Sequence, residues 1–152
     1  MNNNLSKAIL MAAQAHAYQV DKAGEPYFFH CVRVALAVPM DLRIPALLHD
    51  TLEDTNLTAD EIEREFGNDV LQTVVRLTRT PFEGYEEYIR EVNEHPMARQ
   101  IKIADLYDNL NHERLYAAAK NGADIARLFV KYSRALRTLK QQSVASAALP
   151  LP

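Results

Sequence analysis

An all-α fold is predicted by three features of this sequence of 152 residues. Apolar residues recur at three- and four-residue spacings along most of the chain. Gly, Pro and Asn punctuate it at intervals that suit short helices, and no stretch of convincing length alternates apolar with polar side chains. The length suits one domain with a substantial core and is too short for two comfortable ones. A single domain is therefore expected over 1–140, with 141–152, which includes all of SVASAALPLP, as a loosely held tail.

Leu5, Ile9, Ala12 and His16 fall on one face of a first helix, which the Asn2 to Asn4 run can cap. The loop DKAGEPY carries Gly24 and Pro26, and a second helix is expected from Phe28 to Val38. A third should run from about Leu42 to Glu53, with Asp41 as its N-cap and Pro45 tolerated near its start. Thr58-Ala59-Asp60-Glu61 is a capping-box pattern, and the helix it opens should end at Gly67, a residue suited to the left-handed C′ position. Asn68 can cap the next helix, whose apolar set is Val70, Leu71, Val74, Val75 and Leu77 and which Thr80-Pro81 ends. Helices are then expected over Tyr85 to Glu94, Met97 to about Lys120 and Asp124 to about Gln141. Short loops between so many helices predict a compact orthogonal bundle.

Composition bounds the function. The chain is 48% hydrophobic and 24% charged, as an ordinary globular domain is. Its 17 basic and 20 acidic residues sum to −3, which argues against a general nucleic-acid binder, whose affinity comes mainly from neutralising phosphates. A small anionic ligand stays open. The single cysteine, Cys31, permits neither an intrachain disulfide nor a cysteine zinc site, which fits a reducing, cytoplasmic compartment. Lys7, Gln14 and His16 interrupt the N-terminal apolar run, so it reads as an amphipathic helix and not as a signal peptide. No other segment is long enough to cross a membrane, so no membrane partner is expected, and a homo-oligomer stays open.

Residues 46–55, ALLHDTLEDT, set four ionisable groups among leucines. An unpaired buried carboxylate costs several kcal/mol or shifts its pKa until it is neutral, so such groups need a partner, a metal or an open cleft. On a helix His49, Asp50, Glu53 and Asp54 form one polar stripe. Alone, a His-Asp pair is more simply a solvated face. Asp105 interrupts a second buried pattern, IKIADLYDNL, with Asn109 one turn later on its face, and His30 ends the bulky run PYFFH. Together His30, His49, Asp50 and Asp105 supply two imidazoles and two carboxylates from three helices, a suitable set for one divalent cation. Without a thiolate the set suits Mn²⁺, Fe²⁺ or Zn²⁺, and four protein ligands with room for water favour Mn²⁺ or iron over closed tetrahedral zinc. Glu53 and Asp54 are then placed to orient and deprotonate a water.

The ordered set GEPYFFH, ALLHDTLEDT, FGNDV, LTR and KIADLYDN resembles the HD-superfamily hydrolase domain of RelA/SpoT-type enzymes and the small stand-alone alarmone hydrolases, from about Leu5 to Tyr132. The resemblance implies a helical, Mn²⁺-dependent phosphohydrolase that removes the 3′-pyrophosphate of the small nucleotide (p)ppGpp. By motif position it implies His30, His49, Asp50 and Asp105 as metal ligands, Glu53 and Asp54 as the water-activating pair, and Asn109 as a nucleotide contact. The family pattern has a basic pair before the GEPY-like loop; Asp21 stands where its first member, an arginine that packs against guanine, is expected, and only Lys22 keeps a charge to bind substrate. The alternatives are therefore a hydrolase of another nucleotide and a catalytically weak nucleotide-binding regulatory module. Lys22, Arg79, Arg99 and Lys102 could hold phosphates, although each alone reads as a surface charge. The stripe Arg127, Lys131, Arg134 and Arg137 reads as a solvated helix face, and Cys31 as a small buried hydrophobe rather than a nucleophile.

Overall fold

A computed structural model describes residues 2–145, with side chains described for 4–141. Ten α-helices follow one another among these residues: α1 Asn2–Ala15, α2 Tyr27–Leu36, α3 Arg43–Leu48, α4 Thr51–Asp54, α5 Ala59–Phe66, α6 Asn68–Leu77, α7 Tyr85–Asn93, α8 Pro96–Asn109, α9 His112–Lys120 and α10 Ile125–Ala145. A 3₁₀ turn, Met40–Leu42, leads into α3. The described residues contain no strand ladder, only one antiparallel bridge between Val20 and Pro26 across the loop after α1. The all-α expectation holds.

Two helices organise the core. The short α3 packs against α1, α2 and α6, and α8 packs against α2, α6, α7 and α10. Pro45 and Ala46 to Leu48 are all buried, so the last turn of α3 is apolar on every side, as the centre of a core must be. Leu48, Ile62, Leu77, Ile101, Leu106 and Leu139 are almost completely inaccessible and fill the space between the layers. In α1 the buried line is Ala8 and Ala12, while Ile9 is 40% exposed. Small side chains let α1 approach α3 closely, and this turns the expected Leu5–Ile9 face partly outward.

Local signals read from the sequence recur at several boundaries. Thr58 and Glu61 form the reciprocal capping box that opens α5. Gly67, at φ +86°, closes α5 and serves as the N-cap of α6, so Asn68 is the first residue of α6 and not its cap. The asparagine run likewise lies within the first turn of α1, and no aspartate side chain caps α3, which starts after Leu42. The helix expected from Met97 to Lys120 is two. Leu110 and Asn111 interrupt it, and the Asn111 side chain accepts from the N–H groups of Glu113 at 3.0 Å and Arg114 at 3.2 Å to start α9. The last helix continues past the expected boundary at 140 to Ala145; the rest of the expected tail lies outside the described residues.

The expected Leu42–Glu53 helix is also divided, and the division falls on His49 and Asp50. Side chains here capture backbone carbonyls: His49 Nδ1 donates to Ala46 O at 2.8 Å, and Thr51 Oγ1 donates to Leu48 O at 2.7 Å. Asp50 sits at φ −101°, ψ 0°, in the sparsely occupied bridge region where active-site residues are often found. The irregular turn aims both side chains at α2 and α8.

Candidate active site

His30 comes from the buried face of α2, His49 and Asp50 from the turn between α3 and α4, and Asp105 from the middle of α8. The Nε2 of His30 lies 3.2 Å from Asp105 Oδ1 and 3.7 Å from Asp50 Oδ2. The Nε2 of His49 lies 3.0 Å from Asp50 Oδ2 and 3.9 Å from Asp105 Oδ1. The structure thus gathers both carboxylates around the two imidazoles.

Hydrogen bonds on the far side of each ring decide what faces the carboxylates. His49 Nδ1 is bonded to a carbonyl, which only accepts, so Nδ1 carries the proton. His30 Nδ1 lies 2.6 Å from Asp108 Oδ2, an oxygen that also pairs with Arg114, and donates in the same way. In the neutral rings both Nε2 atoms then present lone pairs towards two carboxylates. His49 Nε2 is buried and, despite its distance to Asp50, makes no hydrogen bond among the described residues. Acceptors confronting acceptors at this spacing are stable only with positive charge between them. Donor atoms of His30, His49 and Asp105 fall within 4.8 Å of one another, and this nitrogen and oxygen set fits a divalent cation.

The surrounding polar contacts hold the set in place. Tyr27 Oη donates to Asp50 Oδ2 at 2.5 Å, and Asn109 Nδ2 donates to Asp105 Oδ1 at 2.5 Å. The second oxygen of Asp105 pairs with Lys102 Nζ at 2.8 Å. Burial would raise the pKa of Asp105, but the Lys102 ammonium beside it outweighs this and holds the carboxyl well below the usual range. Lys102 is not the surface charge its sequence context suggested: its side chain is only 12% exposed and its ammonium lies 5.3 Å from the centre of the Tyr88 ring. Burial pushes the pKa of the Cys31 thiol up, so it stays protonated, as expected for a small hydrophobe.

Asp50, Glu53, Asp54 and Asp105 line one surface depression, which Lys22, Arg79, Lys102 and Lys131 also edge. Glu53 and Asp54 are exposed there. Glu53 Oε2 accepts from the backbone N–H of Arg79 at 2.9 Å. For Asp54, burial raises the pKa first, and the neighbouring Asp50 and Glu53 raise it further. Asn109 reaches the depression mainly by bracing Asp105, and Lys22 reaches it from the loop after α1. Arg99 does not line it.

A further supporting residue, Asp108, like Tyr27, has no counterpart in the sequence reading. Asp108 receives His30 Nδ1 on one oxygen and Arg33 Nε on the other at 2.7 Å, with Arg114 Nη1 also paired to it. Its signal in the sequence is its position three residues after Asp105 and one before Asn109, on the face that meets α2. Replacing Asp108 with asparagine should weaken metal affinity about 10–100-fold, the usual effect of losing an outer carboxylate partner. Titration with a chromophoric metal chelator measures it, and unchanged affinity would remove Asp108 from the site.

The model for the HD domain matches residues 8–148. The chain belongs to the HD domain family. The HD domain is 36% identical over 119 residues to guanosine-3′,5′-bis(diphosphate) 3′-pyrophosphohydrolase of Aquifex aeolicus, covering 70% of this chain and 17% of that protein. It is 32% identical over 123 residues to GTP pyrophosphokinase rsh of Brucella ovis, covering 70% and 16%. The chain thus spans about a sixth of the length of these relatives. Among solved structures it is similar to that of "A metazoan ortholog of SpoT hydrolyzes ppGpp and plays a role in starvation responses", at 25% identity and a TM-score of 0.62, covering 90% of this chain and 96% of that one. HD domain hydrolases bind divalent metals, and the His30, His49 and Asp105 cluster has the donor atoms to hold one. Among the described residues, no helix is long and apolar enough to cross a membrane.

Asp21 has a role that only the structure reveals. Its carboxylate accepts from Arg114 Nη2 at 2.7 Å, lies 3.7 Å from Arg33 Nη2, and is only 4% exposed. Burial would raise the Asp21 pKa, but the Glu25 backbone N–H and Arg114 pull it below the usual value. A depressed carboxyl pKa gives stability that is full above the unfolded value and is lost as pH falls through the folded one. An arginine at position 21 would therefore face Arg114 and Arg33 rather than stand free to stack on a base. Asp21→Arg should lower stability by about 3 kcal/mol, as breaking a well-buried pair does. A urea midpoint equal to the parent's would contradict this.

Proposed function

We propose that this HD domain is a metal-dependent phosphohydrolase that removes the 3′-pyrophosphate of (p)ppGpp, with His30, His49, Asp50 and Asp105 as ligands to Mn²⁺. The observation that carries the reading is the convergence of two imidazole nitrogens on two carboxylates, Asp50 and Asp105, that line a depression edged by four cationic side chains. Zinc fits the donor set less well, because four protein ligands plus water need a coordination number above four, which Mn²⁺ and Fe²⁺ take readily. When bound, the cation supplies positive charge to a phosphoryl oxygen and makes water more acidic. Glu53 and Asp54 accept the proton of the attacking water, and the contact from the Arg79 backbone fixes the Glu53 carboxylate. Lys22, Lys102 and Lys131 face the phosphates, and Asn109 keeps Asp105 oriented while lining the same depression. The names of the Aquifex relative and of the metazoan structure support this substrate.

A second reading, hydrolysis of another nucleotide by the same chemistry, is favoured by the Asp21–Arg114 pair, which replaces a free arginine beside the base. Phosphate and pyrophosphate release by Mn²⁺-loaded protein from ppGpp, pppGpp, their adenine counterparts and simple nucleotides separates the two. Pyrophosphate from ppGpp well above the rest supports the first reading, and turnover of other nucleotides alone supports the second. No turnover across the panel would point to a nucleotide-binding regulatory module.

A further inference from the structure

A cleft of about 950 Å³ lies between α7 and α10, beside the metal depression. Six cationic side chains line it, Arg79, Arg90, Arg127, Lys131, Arg134 and Arg137, against one carboxylate, Glu86. This concentration stands out on a chain whose net charge is −3. The stripe that reads as a solvated face in the sequence therefore forms one wall of a concave basic surface. Among the described residues only Arg134 pairs with Glu86, and at 3.9 Å between exposed groups that contact is worth little.

The cleft and the depression adjoin. Arg79, Tyr85 and Lys131 line both. Lys131 Nζ lies 4.1 Å from the centre of the Tyr85 ring, which holds the ammonium at the threshold between them. Burial lowers the Lys131 pKa, and the nearby charges of Arg79, Lys102 and Lys22 lower it further. Crowded like charges of this kind are relieved by an anion. The volume lies within the range of nucleotide-sized ligand sites.

Building on the phosphohydrolase reading, we propose that the α7–α10 cleft is a polyphosphate subsite that receives the uncleaved phosphate chain of the substrate while the other chain is cut at the metal centre. The shared threshold residues argue for one molecule spanning both places, and the basic wall suits several phosphates rather than one. Arg127 and Arg137, remote from the metal depression, become specificity-determining residues.

The test uses the full chain and the double variant Arg127→Gln/Arg137→Gln. In steady-state assays the variant should raise KM for ppGpp about tenfold with kcat unchanged, while a guanosine 3′-diphosphate lacking 5′ phosphates should show no change in KM. Inorganic tripolyphosphate should bind the parent protein in calorimetry, compete with ppGpp, and bind the variant at least about tenfold more weakly. Equal KM values for parent and variant on ppGpp would overturn the proposal. Tripolyphosphate that binds through these arginines without competing would also overturn it, because the cleft would then serve a separate effector. If no nucleotide is turned over, calorimetry still decides: binding that the variant loses supports a polyphosphate subsite although the assigned substrate fails, and absent binding refutes both.

Discussion

Asp105→Asn should abolish turnover, by roughly a thousandfold or more, beyond the ~10–100-fold expected for an outer partner such as Asp108. Asp105 is where three contacts meet: Asn109 and His30 approach Oδ1, and Lys102 approaches Oδ2. The amide keeps the shape but removes the negative charge that a cation held between the two Nε2 lone pairs requires. Bound metal, measured by mass spectrometry after gel filtration, should fall together with the rate. An alanine is a harsher probe, because it would strand the buried Lys102 ammonium, and it should also unfold more readily. Wild-type turnover by the asparagine variant would refute the assignment of Asp105 as a ligand.

The double variant Glu53→Gln/Asp54→Asn should behave differently: metal content stays at the parent level, and kcat falls about 10²- to 10⁴-fold, the range for loss of general-base assistance. The glutamine side chain keeps an oxygen that can accept the Arg79 N–H in place of the Glu53 carboxylate, so the turn after α6 has no reason to move. Parent-like kcat with full metal would exclude both carboxylates from proton transfer. Metal loss in this variant would instead show that they serve as ligands.

The site was partly legible because its members fall in short local patterns. His49 and Asp50 stand among leucines, Asp105 and Asn109 are one turn apart, and His30 ends an apolar run. Boundaries set within about four residues were also readable, as the Thr58–Glu61 box shows. Breaks within a sustained helical pattern were not. The turn at His49 and the stop at Leu110 arise where side chains outcompete helical hydrogen bonding, and the apolar spacing continues across both.

By itself, then, the sequence determined the all-α class, the helix-start signals and the residue types of a nitrogen and oxygen metal site, because each rests on spacing within one or two turns. The tertiary structure decided the rest. Asp108 meets His30 across 78 residues, Asp21 meets Arg114 across 93, and Lys102 becomes a buried partner of Asp105. The stripe on α10 becomes the wall of a cleft because α7 packs beside it. Whether a charge is solvated, paired or aimed at a ligand depends on which helix lies opposite, and helix packing fixes that through contacts no local pattern encodes.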